Sequence, residues 1–300
     1  MNSIKNVINN RLVDCDIRYN EPMSKHTSFG IGGCASCLIF PKTISQVKYL
    51  LRSLNKTALK YYIIGSGTNM LISDSGYNGV IISLKKTFKS IDIDNDIITV
   101  ESGVMLGTMV KEAVKRNIGG LESLGGVPGT VGGALYMNAG AFGSEISNYF
   151  KWAITIDMDG NQKKYYKDDI DFSYRFSTFP DNEIITKSRF KFFIGKSDVI
   201  KKVKLESSNK RKKSQPLKFR SAGSIFKNPN KSIAAGYLID QAGLKGCSKG
   251  DAEISTKHAN FIINKGSASY KDVLFLIDFV RKKVRSKFDI NLELEVKLIS

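Results

Sequence analysis

Nine of the chain's 26 glycines fall between Gly119 and Gly143, and this crowding constrains the fold more than any other feature. At its centre runs Gly125-Gly126-Val127-Pro128-Gly129-Thr130-Val131-Gly132-Gly133-Ala134, followed by Tyr136-Met137-Asn138-Ala139-Gly140-Ala141. Glycine loses more backbone entropy on folding than any other residue, so a plain loop has no use for so many. Close approach of the backbone to a pyrophosphate explains them, because amide N–H groups then reach the anion with no side chain between. The alternative is a glycine-rich turn packed inside a core. The segment is not the dinucleotide fingerprint G-x-G-x-x-G. Its spacing differs, and no acidic residue follows at the expected distance.

A second, shorter turn, Gly65-Ser66-Gly67-Thr68-Asn69, follows the apolar run Tyr61 to Ile64. It suits an anion in the same way, with Thr and Asn adding hydrogen bonds, and equally suits a simple tight turn. The chain of 300 residues is long enough for two or three lobes with a real core. Its net charge of +18 admits nucleic acid, anionic membranes or acidic small molecules as partners. A lysine-rich solvated surface accounts for it as well. Neither zinc-finger spacing nor an aromatic RNA-binding signature is present.

Cys34 and Cys37 form a C-x-x-C pair, but the other cysteines are Cys15 and Cys247 and the histidines only His26 and His258. That set lacks the spacing of a metal site, and the cysteines read as reduced cytosolic thiols. No metal is expected. Met1 to Asp16 lacks the apolar core of a signal peptide. No run of about 18 apolar residues exists to span a bilayer. The expected location is the cytoplasm.

Strand-like and helix-like stretches alternate along the chain, predicting a mixed fold of α and β. Val47, Leu50, Leu51 and Leu54 share a helical face, with Ser45 as N-cap. Val80 to Leu84 and Ile97 to Glu101 read as strands, and Gly107 to Asn117 as a helix. Ala153 to Met158 and Gln162 to Tyr166 read as a hairpin turned by Asp159-Gly160 in a type I′ turn. Ile184 to Ile194 reads as one long strand, and Asp198 to Lys213 as a helix ending in the basic run Lys210 to Lys213. Ser269 to Phe288 has a capping-box start and an apolar stripe. Leu292 to Ile299 alternates, with the leucines and Val296 on one face and Glu293, Glu295 and Lys297 on the other.

Three further motifs carry polar groups suited to chemistry. Ser173-Tyr174-Arg175-Phe176-Ser177 sets one arginine among aromatics. A surface stacking residue is the plain reading, and a guanidinium aimed at a carboxylate the sharper one. In Gly223-Ser224-Ile225-Phe226-Lys227-Asn228-Pro229 a glycine exposes a serine hydroxyl beside Lys227 and Asn228, though an ordinary turn looks the same. Glu295 reads as part of a solvated strand face, and His258, within Lys257 to Asn264, as a structural residue.

The ordered set of these motifs, with Thr27-Ser28-Phe29-Gly30-Ile31-Gly32-Gly33, resembles the UDP-N-acetylenolpyruvoylglucosamine reductase family through nearly the whole chain. The resemblance implies an α+β fold: a vanillyl-alcohol-oxidase-type (PCMH-type) FAD-binding domain of two lobes plus a C-terminal α+β substrate-binding lobe. The expected boundaries are 1–84 and 85–200 for the FAD lobes and 201–300 for the UDP-sugar lobe, whose last strand packs back near the flavin. It implies non-covalent FAD, NADPH as hydride donor and a UDP-sugar substrate in peptidoglycan synthesis, with no nucleic-acid or membrane partner. A monomer is consistent with it.

By the same resemblance Gly65, Ser66, Gly67, Thr68 and Asn69 hold the FAD diphosphate, together with Gly125, Gly126, Val127, Pro128, Gly129, Thr130, Gly132 and Gly133. Arg175, Ser224 and Glu295 match the catalytic positions, and Tyr174, Lys227 and Asn228 the substrate-binding ones. Lys210 to Lys213 are candidates for the UDP diphosphate. Thr68 replaces the serine of many relatives and keeps the hydroxyl. No tyrosine-bearing lid is evident between Arg175 and Ser224, so the chain resembles the shorter form of the family. Two rivals stand beside this reading: another FAD oxidase or dehydrogenase of the same fold, and a basic nucleic-acid-binding protein.

Overall fold

The glycine-dense segment and the strands around it fold as α+β in a computed structural model that describes residues 4, 7, 8, 10–57 and 59–300. Part of the N-terminal stretch read as lacking a leader, at 1–3, 5, 6 and 9, lies outside the described residues. The chain divides into two compact units. One comprises residues 1–19, 36–66 and 79–209; the other comprises 20–35, 67–78 and 210–300.

In the first unit, helix α1 (Ile44–Thr57) buries Val47, Leu50, Leu51 and Leu54, as its spacing predicts. They join Cys37, Ile39, Val80 and Ile82 in one apolar cluster. The cap is not Ser45. Thr43 Oγ1 accepts from Gln46 N at 3.2 Å, and Gln46 Oε1 accepts from Thr43 N at 3.3 Å, so the reciprocal box sits two residues earlier. Behind α1 lies a four-stranded sheet in the order Asp16–Pro22, Cys34–Phe40, Tyr77–Ser83, Tyr61–Ile64. Its last pair runs parallel.

A five-stranded sheet, antiparallel throughout, follows the order Gln162–Tyr166, Phe150–Ile156, Ile184–Lys191, Ile97–Glu101, Ile91–Asp94. Its core includes α2 (Leu106–Lys115) and α3 (Val131–Tyr136). Phe150 is fully buried there, edge-on to Phe172, Phe179 and Phe190 with ring centroids 5.4–6.1 Å apart. Such pairs add about 0.5–1.5 kcal/mol each beyond their area.

Two sequence expectations fail in this sheet. The hairpin at Asp159-Gly160 is not type I′. Asp157 N donates to Asn161 O at 3.0 Å and Gly160 N to Asp157 O at 2.9 Å. Gly160 alone of the pair has positive φ, +74°. This is a three-residue loop with glycine in the left-handed position. Asp157 Oδ1 also accepts from Asp159 N and Asn161 N, and this local bonding favours the wider turn. The long strand 184–194 stops at Lys191, where Phe192 N turns to Asp96 O. Phe193–Ile194 pairs instead with Ile118–Gly119, where the absence of a Cβ leaves room for the Phe193 ring.

The second unit packs α5 (Ala235–Gln241) and α6 (Tyr270–Phe288) with the antiparallel strands Ser248–Lys249, Ala252–Ile254 and Ile262–Asn264. The capping box of α6 is present, Ser269 accepting from Asp272 N and Asp272 from Ser269 N. Helix α4 (Ser197–Ser214) ends in the basic run Lys210–Lys213, with Arg211, Lys212 and Lys213 in the last turn, where cations interact favourably with the helix dipole. Lys297–Ile299 pairs in parallel with Met70–Ile72.

The expected alternation over 292–299 breaks. Glu295 N and Val296 N both donate to Ile225 O, at 2.8 and 3.3 Å. Two consecutive donors on one acceptor make a bulge, which resets which side chains face inward. Leu298 is thus exposed and Ile299 buried, while Glu295 is half-buried rather than solvated. Among the described residues no helix is long and apolar enough to cross a membrane.

Candidate active site

In the first unit the two glycine-rich segments meet. A Cβ on Gly65 would lie 2.6 Å from Thr130 Oγ1, and one on Gly132 would lie 2.7 Å from Ser102 Cβ. Neither site admits a side chain without displacement. Many of the loop amides already have partners. Gly125 N, Val127 N, Val131 N and Gly132 N donate to carbonyls of Glu122, Leu124, Val104 and Ser102. Gly133 N donates to the N-cap Thr130 Oγ1. This corrects the picture of the whole segment as an amide cradle: the glycines serve close packing as much as open donors. Among the described residues the amides of Gly126, Gly129 and Thr130 keep no such partner.

The hydroxyls of Ser66 and Ser102 are buried with no hydrogen-bond partner among the described residues. A buried hydroxyl left unpaired costs about 1–3 kcal/mol. Two beside the crowded glycines mark where an external acceptor belongs, so the residues fit a bound dinucleotide diphosphate. Ser102 was not picked out in the sequence, where a lone serine after a strand carries no signal. Ser83 Oγ holds the turn from below, donating to Gly65 O at 3.0 Å.

Arg175 lies in the same unit at the tip of a hairpin joining Phe172–Ser173 to Phe176–Ser177. Its φ is +59°, a left-handed conformation that glycine adopts readily and arginine rarely. Its guanidinium lies over the exposed Tyr174 ring, 4.9 Å from the centroid, and Nη2 donates to Gly140 O at 3.0 Å.

The second unit holds Ser224 and Glu295. The segments carrying them run side by side, Phe226 bridging Leu294 and Lys227 N donating to Glu293 O at 2.8 Å. Buried Asn260 fixes this arrangement. Its Oδ1 accepts from Phe226 N at 3.0 Å, and its Nδ2 donates to Phe226 O at 2.8 Å. Ser224 has no hydrogen-bond partner among the described residues. Asn69 Nδ2 donates to Glu295 O at 3.1 Å, tying the end of the first glycine turn to the glutamate segment. Gly67 in that turn has φ +71° and presses on the carbonyl of His26, where a Cβ would clash. Thr68 precedes Asn69, its carbonyl 3.4 Å from Ser28 Oγ.

The substrate-position candidates take other roles in part. Asn228 Oδ1 accepts from Ala235 N at 3.0 Å, at the first turn of α5. Lys227 Nζ is 3.5 Å from exposed Glu293. His258 is structural, its Nδ1 accepting from Asn260 N at 3.3 Å and its ring 4.7 Å from that of Phe261. Burial, with Lys245 adding repulsion, pushes its pKa below 6.5. A depressed histidine stabilises the fold fully above its unfolded pKa and loses that contribution as acid charges it. The thermal midpoint should fall as pH drops below 6.5, and His258→Gln should flatten that slope. The four cysteines are unpaired, and among the described residues no cluster could hold a metal.

A family model described as FAD binding domain matches residues 35–165. A second, described as UDP-N-acetylenolpyruvoylglucosamine reductase, C-terminal domain, matches residues 215–299. The FAD module, with its buried hydroxyls and crowded glycines, marks the chain as an FAD-dependent oxidoreductase. It is 43% identical over 309 residues to the UDP-N-acetylenolpyruvoylglucosamine reductase of Clostridium botulinum (strain Hall), covering 100% of the chain and 98% of the relative. It is 40% identical over 303 residues to that of Clostridium tetani, with the same coverage. The crystal structure of the enzyme from Thermus caldophilus superposes with a TM-score of 0.81 at 33% identity, over 95% of this chain and 99% of that one. The chain belongs to the UDP-N-acetylenolpyruvoylglucosamine reductase family.

Proposed function

We propose that this protein reduces the enolpyruvyl group of UDP-N-acetylenolpyruvoylglucosamine to UDP-N-acetylmuramate in peptidoglycan synthesis, with NADPH as donor. The full-length likeness to curated reductases carries the reading. FAD, when bound, supplies the hydride chemistry between NADPH and the methylene carbon of the sugar's enolpyruvyl group. Ser66, Ser102 and the amides of Gly126, Gly129 and Thr130 would hold its diphosphate, supported by the unpartnered donors at those positions. The glycine turn Gly65–Asn69 would shape the same approach.

The other roles follow from the charge that develops on the substrate. Hydride arrival at the methylene carbon leaves negative charge at the carbon bearing the carboxylate. Arg175 would bind that carboxylate and stabilise the charge, its plane held by Tyr174 and Gly140 O. Ser224 would donate the proton. A hydroxyl is a weak acid, but an enolate-like carbanion is a strong base, so the transfer runs downhill. Its hydroxyl is uncommitted among the described residues, as a donor to substrate requires. Glu295 would orient the intermediate or share in its protonation. The UDP diphosphate would draw on basic residues, with Lys210 to Lys213 as candidates. The cytoplasm, where the nucleotide sugar and NADPH are found, is the proposed site of action, with neither nucleic acid nor membrane as partner.

The test is the visible spectrum of purified protein, followed anaerobically. Flavin bands should bleach with NADPH and return with the UDP-enolpyruvyl sugar. Bands that return only with oxygen would move the function to the oxidase rival. Protein that cannot be loaded with FAD would overturn the reading.

A further inference from the structure

Polar contacts fasten the hairpin that presents Arg175 to one short stretch, Tyr136–Ala141. Ser177 Oγ donates to Tyr136 O at 2.6 Å, Asn138 Nδ2 to Ser173 O at 2.9 Å, and Arg175 Nη2 to Gly140 O at 3.0 Å. Asn138 stands apart from the others. It is wholly buried, holds a φ of +43° and uses both ends of its amide. Nδ2 also donates to Glu145 Oε2 at 2.9 Å, and Oδ1 lies 3.4 Å from Ser147 N. With both donors engaged, the amide plane is set, and so is the carbonyl it grips. That carbonyl belongs to Ser173, the last residue before the Tyr174-Arg175 tip.

We propose that Asn138 is a positioning residue for Arg175, fixing the hairpin so that the guanidinium meets a substrate carboxylate in a two-point, coplanar approach, with Glu145 and Gly140 completing the device. Glu145 orients the Asn138 amide. Gly140 is required for closeness: a Cβ there would lie 2.9 Å from Glu145 Cγ and 3.4 Å from Arg175 Nη1. Two-point recognition of a carboxylate depends on the plane of the arginine, and a displacement of about 1 Å costs about a hundredfold in rate. A left-handed arginine at a hairpin tip has no intrinsic preference for one orientation, so the bracket beneath it must supply that preference. The inference rests on the proposed carboxylate role of Arg175.

The experiment uses FAD-loaded enzyme with three changes: Asn138→Asp, which keeps size but loses the donor, Gly140→Ala, and Arg175→Lys. Bleaching by NADPH, turnover of the UDP-enolpyruvyl sugar, calorimetric binding of that sugar and thermal midpoint are read for each. Asn138→Asp and Gly140→Ala are expected to lower sugar turnover about ten- to hundredfold, to weaken sugar binding, and to leave bleaching within twofold of wild type. In an Arg175→Lys background the Asn138→Asp change should add no further loss. Wild-type turnover in both folded variants overturns the inference. So does an undiminished loss in the Arg175→Lys background, which marks Asn138 as merely structural. If Asn138→Asp does not fold, Gly140→Ala, alone and with Arg175→Lys, decides. Wild-type sugar binding and turnover in Arg175→Lys alone would instead remove the carboxylate role, whatever the other variants show.

Discussion

Ser224→Ala is expected to separate the two halves of the reaction, leaving flavin reduction by NADPH at its normal rate while slowing sugar reduction by about 10²–10⁴-fold. The argument is chemical and local. The proposed proton donor has no hydrogen-bond partner among the described residues, so its removal breaks no hydrogen bond seen in the fold. Its segment is held by main-chain bonds to Glu293 and Glu295 and by the buried Asn260, none of which involves the serine side chain. The variant should therefore fold and bind FAD like wild type. Anaerobic stopped-flow absorbance reads the halves separately. Sugar-driven return of the bands at the wild-type rate would remove Ser224 from the mechanism.

Ser66→Ala with Ser102→Ala should give the opposite dissection: weaker FAD binding without loss of fold. A hydrogen bond to a charged group contributes about 1.5–3 kcal/mol, and about 1.4 kcal/mol is tenfold in affinity. Each hydroxyl is then worth about ten- to a hundredfold, and the pair about two to four orders of magnitude. The sign of the stability change identifies the cause. Both hydroxyls are buried without a partner among the described residues, so deleting them from the flavin-free protein should leave the urea midpoint unchanged or raised. A lowered midpoint with normal FAD affinity would mean the hydroxyls serve the fold.

Local pattern carried the reading furthest where one segment contains all the relevant interactions. The helix Tyr270–Phe288 was legible from its capping box and stripe, because both are fixed within a few residues. The face of α1 was legible for the same reason, although Thr43 and not Ser45 is its cap, two hydroxyl residues that look alike before a helix. Errors came where a partner far along the chain decides. Nothing in Leu292 to Ile299 says that Ile225 O accepts two successive amides, yet beyond that pairing the buried position passes from Leu298 to Ile299. Phe193 leaves its apparent strand because Gly119, some seventy residues earlier, offers it a pairing partner.

The motifs drew notice to Arg175, Ser224 and the glycine turns, but only the resemblance of the ordered set pointed to catalytic positions for Arg175 and Ser224. They did not name Ser102 or Asn260, and they left Asn138 without a role. Serine and asparagine become informative only when burial shows whether their polar atoms have partners.

The left-handed Arg175 has a consequence for anyone selecting hardier forms of this enzyme. At φ +59° glycine would relieve backbone strain of about 1–2 kcal/mol. A library sorted by heat resistance alone should therefore enrich Arg175→Gly early, and under the carboxylate role proposed for Arg175 its survivors would be robust flavoproteins that reduce the sugar poorly. Sorting for durability in this family needs cell-wall synthesis as a simultaneous criterion, since at this residue the two demands pull the sequence in opposite directions.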